Sequence, residues 1–112
     1  MDKPIDWCGS ALDDLRAFPG TARQQAGHEL RRLQRGEAPT DWRPFPQIGR
    51  GGCEIRIDCA EGWFRILYVA KFDEAIYVLH SFQKASRKTR RRDVEIAQAR
   101  YRRVARERDG KE

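Results

Sequence analysis

A guanidinium inside an otherwise apolar strand needs either a counter-charge or a ligand. Arg65 poses that choice, standing in "WFRILYVA" (63–70) with apolar residues on both sides; an unpaired charge is expensive to bury. One reading is a structural salt bridge to Glu54 or Asp58 on a neighbouring strand. The other is a fixed anion site, because the arginine fork matches phosphate oxygens. Arg56 in "CEIRIDC" lies one hairpin away, and Lys84 follows "AIYVLHSFQ". Three cations from three adjacent strands, without three nearby carboxylates, make an electropositive floor suited to a phosphodiester. His80 adds a side chain that titrates near neutrality and is an acid–base candidate. Its period-two companions Ile76, Val78 and Phe82 are apolar, which favours a core role for it instead.

The basic residues are unevenly placed. Residues 84–108 hold eleven Lys and Arg against Asp93, Glu95 and Glu107, a local balance of +8, whereas residues 1–83 hold eleven basic and twelve acidic side chains. An excess this concentrated is expected where a chain meets a polyanion or an acidic protein; the competing reading is a solvated helix face. Other chemistries lack their motifs. "GRGG" is not followed by Lys-Ser/Thr and leads into a strand, and neither HExxH nor GxSxG occurs. Cys8, Cys53 and Cys59 form no CxxC, and His28 and His80 are the only histidines. Reduced thiols are therefore expected, with no metal site and no cofactor. His28 reads as a surface residue. No apolar run approaches the roughly 20 residues of a membrane span. The N-terminus lacks an apolar h-region, so a cytoplasmic protein is expected.

The elements that must position these residues follow from pattern. A length of 112 residues, 39% hydrophobic and 36% charged, fits one globular domain over 1–112. "IDW" reads as a first strand. Ser10 and Asp13 have capping-box spacing ahead of a short helix that ends at Pro19-Gly20. Thr21 is expected to cap a second helix from Ala22 to about Arg35, with Ala22, Ala26, Leu30 and Leu33 on one stripe. "GEAPTDWRPFPQIGRGG" reads as a long loop pinned by Trp42, Phe45 and Ile48. Three antiparallel strands come next, the later two apolar on both faces and so covered on both sides. A third, basic helix is expected over about 89–108, docking by a narrow seam of Val94, Ala97, Tyr101 and Val104. The order β-α-α-β-β-β-α gives an α+β fold: a small antiparallel sheet against an N-terminal helical hairpin, with a C-terminal basic helix. Three strands among the best elements exclude a bare helix-turn-helix reader.

With these pieces assembled, the chain resembles the phage-related, HigB-like branch of the RelE/ParE superfamily of type II toxins. The resemblance rests on "ALDDLRAFPG", "AGHELRRLQRGEAPTDWRPFPQIGRGGCEIRI", "WFRILYVAKFDEAIYVLHSFQK" and "KTRRRDVEIAQARY" in that order. It implies a RelE/ParE-like fold and a metal-independent mRNA endoribonuclease, generally acting at the ribosome. In such an enzyme the ribose 2′-hydroxyl attacks the adjacent phosphate. Carried over by position, Arg65 matches the sheet arginine, Arg56 a commonly basic strand position and Lys84 the cation ending the last strand. Ala85 stands where this branch usually has a second lysine, and Tyr101 lies on the helix seam rather than at a reactive position. The general base stays open between His80 and Glu54. Arg87, Lys88, Arg90, Arg91 and Arg92 are the expected RNA-binding run. The implied partners are mRNA, the ribosome and a HigA-like helix-turn-helix antitoxin. Two alternatives stand beside this reading: a ParE-like, non-hydrolytic poison of DNA gyrase, and an inactive antitoxin-binding remnant.

Overall fold

Alternation in the middle of the chain produces a sheet with two chemically different faces. In the computed structural model, which describes residues 2–110, the elements are β1 (Ile5–Trp7), α1 (Ala11–Arg16), α2 (Gly20–Gln34) and β2 (Trp42–Pro44). A 3-10 turn (Pro46–Ile48), β3 (Gly52–Cys59), β4 (Gly62–Val69), β5 (Ile76–Lys84) and α3 (Arg91–Asp109) follow. The strands lie in the order β1-β5-β4-β3-β2. The α+β class is as expected, but the sheet is mixed rather than purely antiparallel. β1 runs parallel to β5, pairing Ile5 with Ile76 and Trp7 with Val78. The helical hairpin and three strands intervene between them, so the chain returns to the sheet from the same end.

One face packs on the α1–α2 hairpin. Ala11, Leu15, Ala22, Ala26 and Leu30 meet Ile55, Ile57, Phe64, Ile66, Tyr68, Ile76 and Val78 there. Each of these strand residues follows the period-two rule. The opposite face packs Leu67, Val69, Tyr77, Leu79 and Phe82 against Ala97 and Val104 of α3 and against Phe45 and Ile48. Both faces of β4 and β5 are therefore covered, as their apolar runs require. No helix among the described residues is long and apolar enough to cross a membrane.

Local details depart from pattern where tertiary contacts compete. Ser10 precedes α1, but its hydroxyl donates to Asp14 at 2.7 Å rather than capping the helix. Pro19, not Thr21, stands at the start of α2, and Arg90, not Thr89, at the start of α3. The expected long loop contains β2, whose edge pairing with β3 sets Arg43 beside Glu54. Phe45 and Ile48 are buried, but Trp42 is exposed and does not pin the loop.

Gly49 shows why this loop needs glycine. Its φ is +148°, and a Cβ there falls 2.6 Å from the Tyr101 ring of α3. Tyr101 in turn donates its hydroxyl to the Arg50 carbonyl at 2.6 Å. Gly49→Ala is expected to destabilise the fold by about 1–3 kcal/mol through overpacking and backbone strain, measured as a fall in urea midpoint with unchanged m-value.

Candidate functional site

One irregularity in β5 decides where its C-terminal half points. Tyr68 pairs with Val78, but Leu67 pairs with His80, so Leu79 is an extra residue at a β-bulge. Before the bulge, even-numbered Ile76 and Val78 face the hairpin; after it, even-numbered His80 and Phe82 join the face of Leu67 and Arg65. A bulge changes side-chain parity by one, and such re-aiming is common beside functional sites. Lys84 thereby lands opposite Trp63, on the same face as Arg65.

That face is built in rows across β3, β4 and β5. Asp58, Trp63 and Lys84 form the outermost row, and Arg56, Arg65 and Phe82 the next. Glu54, Leu67 and His80 form the third, with Arg43 of β2 beside Glu54. The outer rows line an open cleft of about 260 Å³ formed by Arg43, Glu54, Arg56, Asp58, Trp63, Arg65, Lys84 and Arg87. Five cations face two carboxylates there. Of the residues singled out by type and spacing, the fold gathers Arg56, Arg65, Lys84 and Arg87.

The arginines do not stand without carboxylates, however. Arg65 donates from Nη1 to Asp58 at 2.7 Å and to its neighbour's Phe64 carbonyl at 2.9 Å. Its Nε lies 3.9 Å from Glu54 Oε2, too far for a hydrogen bond, and both atoms are buried without a partner. Arg43 donates to the other Glu54 oxygen at 2.8 Å, and Arg56 pairs with Asp41 at 3.5 Å. The carboxylate partners expected under the structural reading of Arg65 are thus present, and the expected floor without three nearby carboxylates is corrected, because Asp41, Glu54 and Asp58 all lie beside its arginines. Removing one partner of such a buried set leaves an uncompensated charge. Glu54 is fully buried, whereas Asp58 is half-exposed at the mouth.

Lys84, like Arg87, lines the cleft without forming a salt bridge to a carboxylate among the described residues. Its Nζ donates to the Arg87 carbonyl at 2.5 Å. Partial burial is the largest influence lowering its pKa below the usual lysine value, and nearby Arg65 lowers it further. Desolvation and like charge both favour the neutral amine, so this ammonium gives up its proton more readily than a solvated lysine.

His80 is not brought to the cleft. Its Nε2 lies 2.8 Å from Asp93 Oδ1, both residues are buried, and the ring stacks on Phe82. It lines a separate cavity with Arg90, Arg92 and Arg100. The basic run divides in the same way. Arg90 pairs with Asp93 at 3.4 Å and Arg91 with Glu95 at 3.4 Å, while Lys88 is exposed at the turn before α3. Among the described residues, no group of three His, Cys, Asp or Glu side chains is placed to hold a metal ion. Arg43 and Trp63 escaped the pattern reading. Arg43 sat in a segment read as loop, and Trp63 read as one more apolar strand residue.

Residues 13–102 match the family described as phage derived protein Gp49-like. No curated protein matches the chain. Among solved structures, a mutant of the E. coli toxin RelE in the free state is similar in fold, with a TM-score of 0.61 at 17% identity; the match covers 93% of this chain and 99% of that one.

The buried His80–Asp93 pair ties the start of α3 to β5, and burial outweighs Asp93 to lower the His80 pKa from its ordinary 6.5. Arg100 acts in the same direction, while Asp93 and Asp14 oppose it. A neutral histidine in the fold contributes stability that is complete above about pH 6.5 and is lost as pH falls towards the lowered folded value. The thermal midpoint is therefore expected to drop on acidification from about pH 7.5 to about pH 5.5, and His80→Gln should flatten that part of the curve. Calorimetry across the range checks it.

Proposed function

The chain belongs to the phage-derived Gp49-like family, and from that premise we propose that it is the toxin of a type II toxin–antitoxin pair, cutting mRNA without a metal. The observation that carries this reading is the open cationic cleft in which the bulge sets Lys84 on the same face as Arg56 and Arg65. The HigB-like assignment, action at the ribosome and a HigA-like antitoxin belong to the same proposal.

In-line attack by a ribose 2′-hydroxyl forms a new O2′–P bond and breaks the P–O5′ bond, leaving a 2′,3′-cyclic phosphate and a 5′-hydroxyl. The step needs charge stabilisation at the phosphorane, a base for the 2′ proton and an acid for the 5′ oxygen. Arg56, Arg65 and Arg87 supply the first. The carboxylate partners of Arg56 and Arg65 hold those guanidinium planes in place before substrate arrives, which reduces reorganisation during the reaction. Lys84, with its lowered pKa, is the acid. The base is Asp58, because its half-exposed carboxylate reaches the cleft mouth, whereas Glu54 is buried between Arg43 and Arg65.

A second reading keeps one observation on its side. Arg65 already has two carboxylate neighbours, as a purely structural residue would, and a gyrase poison needs no hydrolytic site. Induced expression separates the two: loss of intact mRNA supports cleavage, and a DNA-damage response without mRNA loss supports the poison.

Three substitutions test the roles. Arg65→Ala is expected to abolish cutting; an active, folded variant makes Arg65 structural. Asp58→Asn should lower kcat by roughly 10²-fold or more, the usual contribution of a general base, while RNA is bound at least as tightly because a negative charge is gone. For Lys84 the sign of the pH effect decides. An acid works while protonated, so activity should fall as pH rises through a pKa below the usual lysine range. Lys84→Arg keeps the charge but does not release its proton; it should bind RNA yet cut far more slowly, and parental rates in that variant would reduce Lys84 to a charge.

A further inference from the structure

Two large apolar side chains are exposed among the described residues, Trp42 and Trp63, each at 42%. Isolated exposed apolar residues are ordinary on protein surfaces. The position of Trp63 is not. Its cross-strand neighbours are Asp58 and Lys84, and Arg65 lies two residues along on the same face. Its flank within the cleft is therefore charged, so the open part of the indole contributes little to the core. Trp42 lies elsewhere, over an apolar groove with Pro39 and Tyr68.

Cations alone hold a polynucleotide by its phosphates and read nothing of its bases. An exposed indole among them adds the missing surface, since every base has a π-face. Along β4, Trp63 lies about 7 Å from Arg65, two residues of extended strand. A base flanking a phosphate held by Arg65 and Lys84 falls within reach of the ring. We propose that Trp63 is the stacking platform for a nucleobase next to the bound phosphate, so that the cleft takes single-stranded RNA whose bases are free to leave their neighbours. This rests on the reading of the cleft as a phosphodiester site. A duplex, with its base faces already stacked, engages the cations but not the indole.

The probe is a short single-stranded RNA methylated at every 2′ oxygen, which removes the attacking nucleophile and permits equilibrium binding. Fluorescence anisotropy is measured for the parent and for Trp63→Leu, Trp63→Tyr, Trp42→Leu and Lys84→Ala, each checked for parental thermal stability. Trp63→Leu should weaken binding roughly tenfold, the equivalent of one lost stacking contact. It should leave the salt slope unchanged, because no phosphate contact is lost, whereas Lys84→Ala should reduce the slope. Trp63→Tyr keeps an aromatic face and should stay within about threefold of the parent. Trp42→Leu should bind as the parent does, and the Trp63→Leu loss should vanish on a strand of abasic sugars.

Parental binding by Trp63→Leu alongside weakened Lys84→Ala overturns the stacking role and leaves the phosphodiester reading in place. Parental binding by both variants removes both. A Trp63→Leu loss that persists on the abasic strand overturns the proposal, because the indole would then act on the backbone. A loss confined to antitoxin binding does so too, and assigns Trp63 to a protein interface.

Discussion

Strand parity is the constraint on which the rest of this molecule depends. β5 must bury Ile76 and Val78 against the helical hairpin at one end and Phe82 against α3 at the other. A regular strand keeps its even residues on one face and cannot satisfy both. The extra residue at Leu79 resolves the conflict by switching faces mid-strand. Packing at both ends thus specifies the register, because a one-residue slip turns every side chain over. The same switch sets Lys84 into the row of Trp63 and Asp58. Core packing and assembly of the cleft are one event.

Electrostatics in the cleft has an inner and an outer layer. Inside, Glu54 lies between the half-exposed Arg43 and the buried Arg65, and burial of Glu54 and Arg65 removes their charges from water at a cost that pairing offsets only in part. Such a set is weak evidence for stability but strong evidence for fixed geometry, since Glu54 and Arg65 each have more than one polar neighbour. Outside, Asp58, Lys84 and Arg87 remain in reach of solvent, where their charge can meet an incoming anion. Each layer holds two cations to one carboxylate, and the outer pair, Lys84 and Arg87, stands at the open mouth.

The C-terminal basic run is less uniform than its composition implies. Arg100 donates to the Leu79 carbonyl at 2.8 Å, at the bulge itself. Arg108 packs over the Phe72 ring with its carbon 3.7 Å from the centroid, and pairs with Glu74 at 2.7 Å. Arg100 fastens α3 to the sheet and Arg108 fastens it to the β4–β5 connection, and with Ala97 and Val104 they explain how so polar a helix docks by so narrow a seam. Only the stretch between β5 and α3, through Arg87, extends the cleft.

Much of this was legible in order. The period-two alternation of "CEIRIDC", the apolar runs of β4 and β5 and the spaced stripes of α2 and α3 carry their burial pattern in the chain, because local periodicity alone decides which side chains share a face. Arg65 declared itself by type, as a charge within an apolar run. Other features depended on partners distant in sequence. The parallel pairing of β1 with β5, the edge strand that brings Arg43 to Glu54 and the burial of His80 against Asp93 belong to this group. The bulge at Leu79 is the clearest case. Read along the chain, His80 keeps company with Ile76, Val78 and Phe82; in the fold it parts from the first two, because the residue that breaks the alternation is selected by what packs on either face. Residue types and local faces were therefore determined by the sequence itself. Which cations met in one cleft, and which were retained by carboxylates, was decided only when the two sides of the sheet were covered at once.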